Sequence, residues 1–295
     1  MEFLNNIRET VFLGPGGSYT EMAKDIFVKH YELFDAIQTP MKTIKSVVSY
    51  IANNPDAIGV LPIENSIEGT IRETVDCIIK SENPDLKILA EVTVPVKHCL
   101  ISKNTEIYNI SGIIAHPKAI EQCKKFIEEE MPRNLDIIET ESTEETARQL
   151  QNYNLTYAAI GSEKTAETYF LNILRDNIND EQDNQSKFIL IGNFKTPQTG
   201  HDNTMVAFST EDKPGSLVGI LQIFSKYNVN LTHIDSRPST NFAEYIVLAD
   251  FEGHEDDKEI KPMIDELKKS TKYYKNIVVI TVLISGISAI FSSTI

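Results

Sequence analysis

The stretch TVFLGPGGSYTEMAKDIFVKH, residues 10–30, sets the pattern on which the fold depends. Its first four residues are apolar and predict a buried strand, and the glycine-rich turn after them predicts a tight connection. Residues 18–30 have helical spacing, and Ser18 and Glu21 stand at the spacing of a capping box, which marks a helix start. The stretch therefore predicts one strand–turn–helix unit.

The same unit recurs up to residue 192. Short apolar runs alternate with helical stretches, the runs at 10–13, 57–62, 88–94, 112–115, 135–140, 157–161 and 188–191, and the helices at about 18–30, 43–53, 67–80, 117–130, 143–151 and 162–173. Such alternation predicts an α/β fold with a largely parallel sheet, and a ligand cleft at the carboxyl ends of its strands.

A polar linker at 195–201, which contains Pro197 and Gly200, predicts a domain joint. The order of elements then changes to strand–helix–strand–strand–helix–strand, at 203–209, 215–227, 229–236, 242–250, about 257–270 and 276–284. This order predicts a ferredoxin-like βαββαβ domain. The apolar run that begins at residue 277 is shorter than the roughly 20 residues of a membrane span. It favours a buried last strand and an apolar extension at 286–295 over a membrane anchor.

Composition excludes several classes of function. The chain has 295 residues, enough for two domains, and a formal net charge of −15, which disfavours a nucleic-acid or anionic membrane surface. Three cysteines without a CxxC pair argue against a disulfide scaffold or a zinc site and favour the cytoplasm. The six histidines show no ligand spacing, so we expect no metal. The amino-terminal residues lack the apolar segment of a signal peptide.

Several predicted helix starts follow directly on strands and begin with small polar residues. They are at Ser18, at Asn65 or Ser66, at Ser142 and at Ser162. In a parallel sheet these starts share one edge, where their free N–H groups can bind an anion without a basic surface. Capped helices are also an ordinary feature of α/β folds, so a purely structural role stays open. For Glu64, a structural role and a role as general acid both stay open.

Specific strings resemble a known family. FLGPGGSYTEMA (12–23), GVLPIENSIEGT (59–70), AAIGSEKTAETY (158–169) and DNQSKFILIG (183–192) resemble, in order, blocks of the prephenate dehydratases. AHPKAIEQC (115–123) is similar to a helix start in that family. KPGSLVGILQIF (213–224) and NLTHIDSRPS (230–239) resemble motifs of its phenylalanine-sensing ACT domain. The resemblance covers about residues 11–275.

The resemblance implies a domain organisation. It implies a catalytic domain at 1–195, built like type II periplasmic binding proteins from two lobes that flank a cleft. We expect one lobe at about 10–85 plus 185–195 and the other at 88–182, with an ACT domain at 202–285. No helical segment of mutase length precedes residue 10, so the sequence resembles the monofunctional form.

The implied reaction converts prephenate into phenylpyruvate, water and carbon dioxide without a cofactor. The family's Thr-Arg-Phe string is matched by Ser186-Lys187-Phe188, and the expected catalytic residue is Ser186, as hydrogen-bond donor to the leaving hydroxyl. The residues expected to bind substrate are Ser18, Asn65, Ser66, Gly69, Thr70, Ser162, Lys187 and Phe188. Lys187 pairs either with a substrate carboxylate or with an acid such as Glu64, and Phe188 forms either a wall for the substrate ring or part of the core.

The ACT resemblance implies feedback inhibition by L-phenylalanine at a subunit interface, in a homodimer or homotetramer. The implied regulatory residues are Gly215, Ser216, Leu217, Asn230, Leu231, Asp235, Ser236, Arg237 and Pro238. For Arg237 an ion pair that stabilises the turn is the alternative. Two other functions stay open for the whole chain, namely arogenate dehydratase and a non-catalytic amino-acid-responsive binding protein.

Overall fold

The computed structural model describes residues 6–140, 143–194, 198, 200, 202–238, 245–280 and 283–284. The first lobe has six strands: β1 (Glu9–Leu13), β2 (Ile37–Met41), β3 (Ala57–Asn65), the short β4 (Gly69–Thr70), β5 (Lys87–Pro95) and β11 (Gln185–Gly192). The main strands follow the order β5-β11-β3-β1-β2. Three helices cover them: α1 (Tyr19–His30), α2 (Ile44–Asn53) and α3 (Arg72–Lys80).

The second lobe is inserted between β5 and β11. Its strands are β6 (Cys99–Ser102), β7 (Gly112–Ala115), β8 (Asp136–Glu139), β9 (Tyr157–Gly161) and β10 (Asn172–Arg175), in the order β10-β6-β9-β7-β8. Its helices are α4 (Pro117–Gln122), α5 (Lys124–Glu130), α6 (Thr143–Leu150) and α7 (Glu163–Thr168). The predicted two-lobed α/β architecture is confirmed.

One predicted lobe boundary was wrong. Residues 88–94 were assigned to the second lobe, but β5 pairs antiparallel with β11 in the first sheet, so the second lobe begins after residue 95. The reason is packing, since Leu89, Val92 and Val94 of β5 are buried in the same apolar cluster as Phe12 and Phe27. The chain crosses between the lobes at about 96–98 and again at about 178–184.

A predicted helix start was also wrong. The helix expected from residue 67, with Asn65 or Ser66 as its cap, begins at Arg72. Residues 65–70 form a tight hairpin instead, in which Asn65 pairs with Gly69 and Glu64 with Thr70. Gly69 has φ +78°, a conformation that favours glycine. Ser142, another predicted helix start, lies outside the described residues.

The C-terminal domain has the predicted order of elements: β12 (Asn203–Ser209), α8 (Ser216–Lys226), β13 (Leu231–Pro238), β14 (Tyr245–Glu252), α9 (Ile260–Ser270) and β15 (Tyr273–Ile280). Its sheet has the order β13-β14-β12-β15, and within it the neighbouring strands are antiparallel. Both helices pack on one face around Phe208, Phe224 and Phe251. The ferredoxin-like prediction is confirmed.

The last strands that the structure describes join the two domains. β15 runs parallel to β5, with Val278 opposite Ile88. β16 (Leu283–Ile284) also pairs in parallel with β5, farther along that strand. The two domains therefore share one sheet of eleven strands. This placement accounts for the apolar sequence near residue 277, because Ile277 is buried in the core of the first lobe. The extension predicted at 286–295 lies outside the described residues.

Polar contacts reinforce this joint. The Lys275 ammonium donates to the carbonyls of Ile78 (3.0 Å) and Ser81 (2.6 Å) at the end of α3, and burial lowers the pKa of Lys275. Lys87 of β5 pairs with Glu255 of the C-terminal domain at 2.5 Å. Over the described ranges, no helix is long and apolar enough to cross a bilayer, and no histidine, cysteine and carboxylate group is suited to hold a metal ion.

Candidate active site

Ser186 and Asn65 meet where β11 enters the first lobe. Asn65 Nδ2 donates to Ser186 Oγ at 2.9 Å and to Asn184 Oδ1 at 2.8 Å. Asn65 Oδ1 accepts the N–H groups of Ile67 and Glu68, at 2.9 and 3.0 Å. One amide thus holds the hairpin 65–70 closed and also contacts the predicted catalytic hydroxyl.

This arrangement leaves Ser186 able to act as a donor. Its oxygen accepts from Asn65, and its hydroxyl hydrogen has no acceptor among the residues that the structure describes. An acceptor hydrogen bond polarises the hydroxyl and strengthens the bond that it donates. The geometry therefore suits donation to an oxygen atom of a ligand in the cleft.

Other predicted residues of the hairpin bind the backbone. Ser66 Oγ accepts from Gln185 N at 3.0 Å, and Ser66 N donates to Gln185 O at 2.8 Å, which ties the hairpin to the start of β11. Thr70 lies farther away and lines a cavity that faces the C-terminal domain. Gly69 supplies the turn conformation described above.

Two predicted residues lie at helix starts where the lobes touch. Ser18 caps α1 by accepting from Glu21 N at 3.3 Å, as the capping-box spacing indicates. Ser162 caps α7 and is buried, and its hydroxyl donates to Gly17 O of the other lobe at 3.0 Å. Ser162 therefore holds the lobes together rather than offering its hydroxyl to the cleft.

The other two residues of the Ser-Lys-Phe string contact the apolar core and a pair of carboxylates. Phe188 is only 2% exposed and packs in the apolar cluster between the first sheet and α1, so of its two interpretations the core is observed. Lys187 Nζ lies 3.4 Å from Glu64 Oε2 and 3.8 Å from Glu91 Oε2. The Glu64 carboxylate is one of the two partners left open for Lys187.

A cavity of about 510 Å³ lies between the lobes, and Asn184, which accepts a hydrogen bond from Asn65, is among the residues that line it. The hairpin, α4 and the returning crossing line it, with the residues Ile67, Glu68, Lys118, Glu121, Gln122, Asn179, Asp180, Glu181 and Asn184. Lys118 is the only lysine among them and pairs with Glu68 across the mouth at 2.5 Å. The rim is otherwise acidic, so an anionic ligand depends on Lys118 and on neutral donors.

Asn184 supplies one such donor. It is 2% exposed, its Oδ1 accepts from Asn65, and its Nδ2 has no partner among the described residues. An unpaired buried donor is costly unless a ligand or water satisfies it. Asn184 lies two residues before Ser186 in the quoted string DNQSKFILIG, but we did not select it from the sequence.

The hinge between the lobes is also polar and buried. His98 Nε2 lies 2.8 Å from Gln122 Oε1, and Asn179 accepts from His98 N and donates to Val96 O. Burial lowers the pKa of His98, which favours the neutral imidazole. Tyr19 donates to Lys97 O at 2.6 Å, and burial raises its pKa well above the usual value.

Sequence reasoning did not select Gln122, Lys118, His98 or Asn179. Gln122 and Lys118 lie in the string AHPKAIEQC (115–123), which resembles the family, but the sequence predicts no site residue in this string. The signal for Lys118 was its position in the first turn of a helix that follows directly on a strand. Nothing local marks His98 or Asn179, because their role depends on two chain crossings about 80 residues apart.

Comparison with known proteins agrees with this architecture. The family model described as prephenate dehydratase matches residues 10–196, and the ACT domain model matches residues 204–268. The chain is 35% identical over 268 residues to the bifunctional chorismate mutase/prephenate dehydratase of Aquifex aeolicus, covering 90% of this chain and 72% of that protein. It is 34% identical over 271 residues to the prephenate dehydratase of Methanocaldococcus jannaschii, covering 90% and 95%.

Among solved structures, the crystal structure of a prephenate dehydratase from Arthrobacter aurescens in complex with L-phenylalanine matches with a TM-score of 0.81 and 29% identity, covering 93% of this chain and 90% of that one. Both sequence domains and the whole two-domain fold therefore match the same kind of protein. The chain belongs to the prephenate dehydratase family, with an ACT domain after the catalytic domain.

Proposed function

We propose that this chain is a prephenate dehydratase that L-phenylalanine inhibits through the ACT domain. The family membership supports the reaction, and one observation supports the site: the Asn65 amide donates both to Ser186, whose hydroxyl stays a donor, and to Asn184, which lines the cavity between the lobes. Prephenate is a dianion with a hydroxyl group on a cyclohexadiene ring, and both parts need a partner in that cleft.

In the proposed reaction, the bond from the ring to its carboxylate breaks and releases carbon dioxide. The electron pair enters the ring, the carbon–oxygen bond of the hydroxyl breaks, and the ring becomes aromatic. The leaving oxygen takes up a proton and departs as water. Ser186 stabilises this oxygen by hydrogen bonding as negative charge develops on it. Asn65 holds the serine oxygen in place from the other side.

The substrate carboxylates need donors from the cleft walls. Lys118 and the free Nδ2 of Asn184 are the donors that the geometry favours. Residue Lys187 faces the other side of the sheet, so we assign it no contact with substrate. Because Ser66 and Ser162 already bind backbone atoms, we propose that they shape the site rather than bind the substrate through their hydroxyls.

Several features support regulation at the ACT domain. The L-phenylalanine complex is a property of the Arthrobacter protein, and the matching domain here carries the two strings implied to bind the effector. Helix α8 starts after Gly215, which has φ +85° and offers no side-chain cap, so backbone N–H groups at this end can bind a carboxylate. Asp235 and Arg237 lie on β13 and pair with each other at 3.3 Å.

The exposed surface of the ACT domain supports a homodimer or homotetramer. β13 is an edge strand among the described strands, and the apolar side chains of Leu217, Val218 and Ile234 are 40%, 57% and 48% exposed. Edge strands with apolar side chains favour pairing with a second chain. The cytoplasmic location and the oligomer size stay predictions.

A parallel assay tests the proposal. Purified protein is incubated with prephenate and with arogenate, with and without L-phenylalanine, and phenylpyruvate or phenylalanine is measured. We expect turnover of prephenate and inhibition by L-phenylalanine. Preferential turnover of arogenate identifies an arogenate dehydratase, and no turnover of either compound identifies a binding protein. Absence of phenylalanine binding in calorimetry at millimolar concentration contradicts the regulatory part.

Substitution of Ser186 tests its role. Ser186→Ala should lower kcat by about 10²-fold or more, the scale for loss of one positioned donor, whereas Ser186→Thr keeps the hydroxyl and should retain most activity. Ser49→Ala, which changes an exposed serine on α2, is the matched control. An unchanged kcat in Ser186→Ala rejects the proposed role of this hydroxyl.

A further inference from the structure

Two adjacent residue pairs, or rungs, of the β3–β11 ladder differ in the kind of contact that their side chains make. In the first, Ser186 lies opposite Asn65, and the amide donates to the hydroxyl at 2.9 Å. In the next, Lys187 lies opposite Glu64, and the ammonium and carboxylate are 3.4 Å apart. The register shifts between Lys187 and Phe188, and the pairing then resumes with Phe188 opposite Pro62. The ion pair therefore lies between the proposed catalytic rung and this irregularity.

The two rungs face opposite sides of the sheet, because side chains alternate along a strand. Ser186 shares its face with Phe188, which packs toward α1. Lys187 shares its face with Ile189, and both line a cavity of about 350 Å³ between the catalytic domain and the ACT domain. A change in the ACT domain can thus reach Lys187 without passing through the substrate cleft.

The ACT wall of this cavity is charged. His233 of β13 and Asp250 of β14 line it and lie 3.7 Å apart, and Arg237 and Asp235 of β13 line it as well. Burial raises the pKa of Asp250 to about 6, and the positive charges of His233 and Lys187 oppose that rise. Asp250 Oδ1 is buried and has no hydrogen-bond partner among the described residues. Lys187 and Asp250 therefore line the same cavity from opposite sides of the domain boundary.

The ammonium of Lys187 offsets the negative charge of the carboxylates that line this cavity. Three carboxylates, those of Glu64, Glu91 and Asp250, face it, and burial raises the pKa of Glu91 while Lys187 lowers it. Arg237 is the other fixed positive charge that lines this cavity, and it lies near Asp76 (3.6 Å) and Asp235. Without the Lys187 ammonium, Glu64 would repel Glu91 beside the catalytic rung.

We propose that Lys187 is a positioning residue: its ion pair with Glu64 holds the Ser186–Asn65 rung in register, and its charge, across the cavity that it lines together with Asp250 and His233, transmits the state of the ACT domain to that rung. The proposal rests on the proposed function, in which Ser186 is the donor to the leaving hydroxyl. It needs no contact between Lys187 and substrate.

The first test separates positioning from binding. Lys187→Met should lower kcat about 10-fold or more, as expected when a reacting group is misplaced, while KM changes by less than about threefold. Lys187→Arg keeps the charge and should restore kcat. Lys226→Met is the matched control, since this lysine forms an ion pair with Glu266 on the ACT helices. A Lys187→Met enzyme with unchanged kcat, or one that changes only KM, overturns the proposal.

A second variant guards against misfolding. If Lys187→Met does not fold by circular dichroism, Glu64→Gln removes the other member of the pair from an exposed position and should lower kcat in the same way. Unchanged kcat in Glu64→Gln also overturns the positioning role. Loss of activity in Ser186→Ala together with full activity in both pair variants keeps the proposed function and rejects the positioning role alone. Full activity in Ser186→Ala rejects the proposed role of this hydroxyl, and with it the premise of the positioning role, but leaves the dehydratase activity in place.

The second test measures transmission from the ACT domain. Asp250→Asn lies outside the catalytic domain and should leave kcat without effector unchanged, but shift the L-phenylalanine concentration for half inhibition by about threefold or more. In the Lys187→Arg background the shift should persist, and in the Lys187→Met background it should disappear. An equal shift in all three backgrounds shows that Asp250 acts independently of Lys187 and overturns the transmission.

Discussion

The hydroxyl of Ser162 donates a 3.0 Å hydrogen bond to the carbonyl of Gly17 and so joins the two lobes. Thr165 Oγ1 donates to the same carbonyl at 2.9 Å, and both side chains are 1% exposed. Gly17 has φ +81°, and a Cβ built there would lie 3.3 Å from Thr165 Cα. The loop after β1 is therefore fitted closely against α7 of the other lobe, and this contact joins the two lobes.

Loss of this contact should weaken both folding and substrate binding. Ser162→Ala removes the cap of α7 and a buried bond to Gly17, so we expect the free energy of unfolding to fall by about 1–2 kcal/mol and KM to rise more than kcat falls. Urea denaturation and steady-state kinetics measure the two effects. Thr168→Ala is the control, since its hydroxyl binds only a carbonyl of its own helix. Equal effects of the two substitutions would contradict the lobe contact.

Substitution of Glu68 should improve substrate binding. The Glu68 carboxylate forms an ion pair with the Lys118 ammonium and adds negative charge at the cleft mouth. Glu68→Gln frees this cation for a dianion, so KM should fall by about 3-fold at low salt, and the difference should shrink as ionic strength rises. Lys118→Met should raise KM. Glu130→Gln removes an ion pair with Arg175 that lies outside the cleft lining, so it should change neither KM nor the dependence of KM on ionic strength. A KM for Glu68→Gln that does not depend on salt would argue against this electrostatic role.

The pKa of Asp250 predicts a pH dependence of stability. Burial raises it from 3.8 to about 6, so between these values the folded protein binds more protons than the unfolded chain. The contribution of Asp250 to stability is therefore complete at low pH and is lost as pH rises through about 6. Asp250→Asn should be more stable than the wild type at pH 7, and this advantage should vanish near pH 4. Thermal or urea unfolding across pH 4–8 measures it, with the exposed Asp265→Asn as control.

Lys275 should be essential to the domain joint. Its ammonium donates to the carbonyls of Ile78 and Ser81 at the end of α3, and burial lowers its pKa. Removal of the ammonium leaves these carbonyls without that donor. Lys275→Met should reduce the free energy of unfolding by about 2 kcal/mol and separate the unfolding of the two domains into distinct transitions. Differential scanning calorimetry detects both. Lys269→Met on the exposed side of α9 is the control, and a single unshifted transition in Lys275→Met would refute the prediction.

The sequence was sufficient to predict the fold class because the relevant signals are local. The strand at 10–13 with its helix capped at Ser18 and the βαββαβ order correspond to elements that form where expected, whereas the helix expected from residue 67 starts at Arg72. The assignment of 88–94 to the second lobe failed because periodicity identifies a strand but not the sheet that it joins. That choice depends on packing against Phe12 and Phe27, which lie far away in the sequence.

The candidate site was only partly predictable for a similar reason. Ser186 and Asn65 stand in strings that the resemblance marks, and the structure brings them together at 2.9 Å. Which face of β11 each side chain takes was not decided by the strings, so Lys187 and Phe188 were grouped with the substrate although they face the ACT domain and the core. The roles of His98 and Asn179 depend on two chain crossings whose meeting no local pattern encodes.

The shared sheet has a consequence for synthesis of the protein on the ribosome. The catalytic domain is complete in sequence by about residue 194, yet the open side of β5 meets its neighbour only after residues 278–284 have emerged. Until then a nascent chain presents an unpaired and largely apolar strand to other chains. Truncation before β15 should therefore yield aggregates rather than a free catalytic unit, and chaperone capture should be greatest while β15 is still being synthesised.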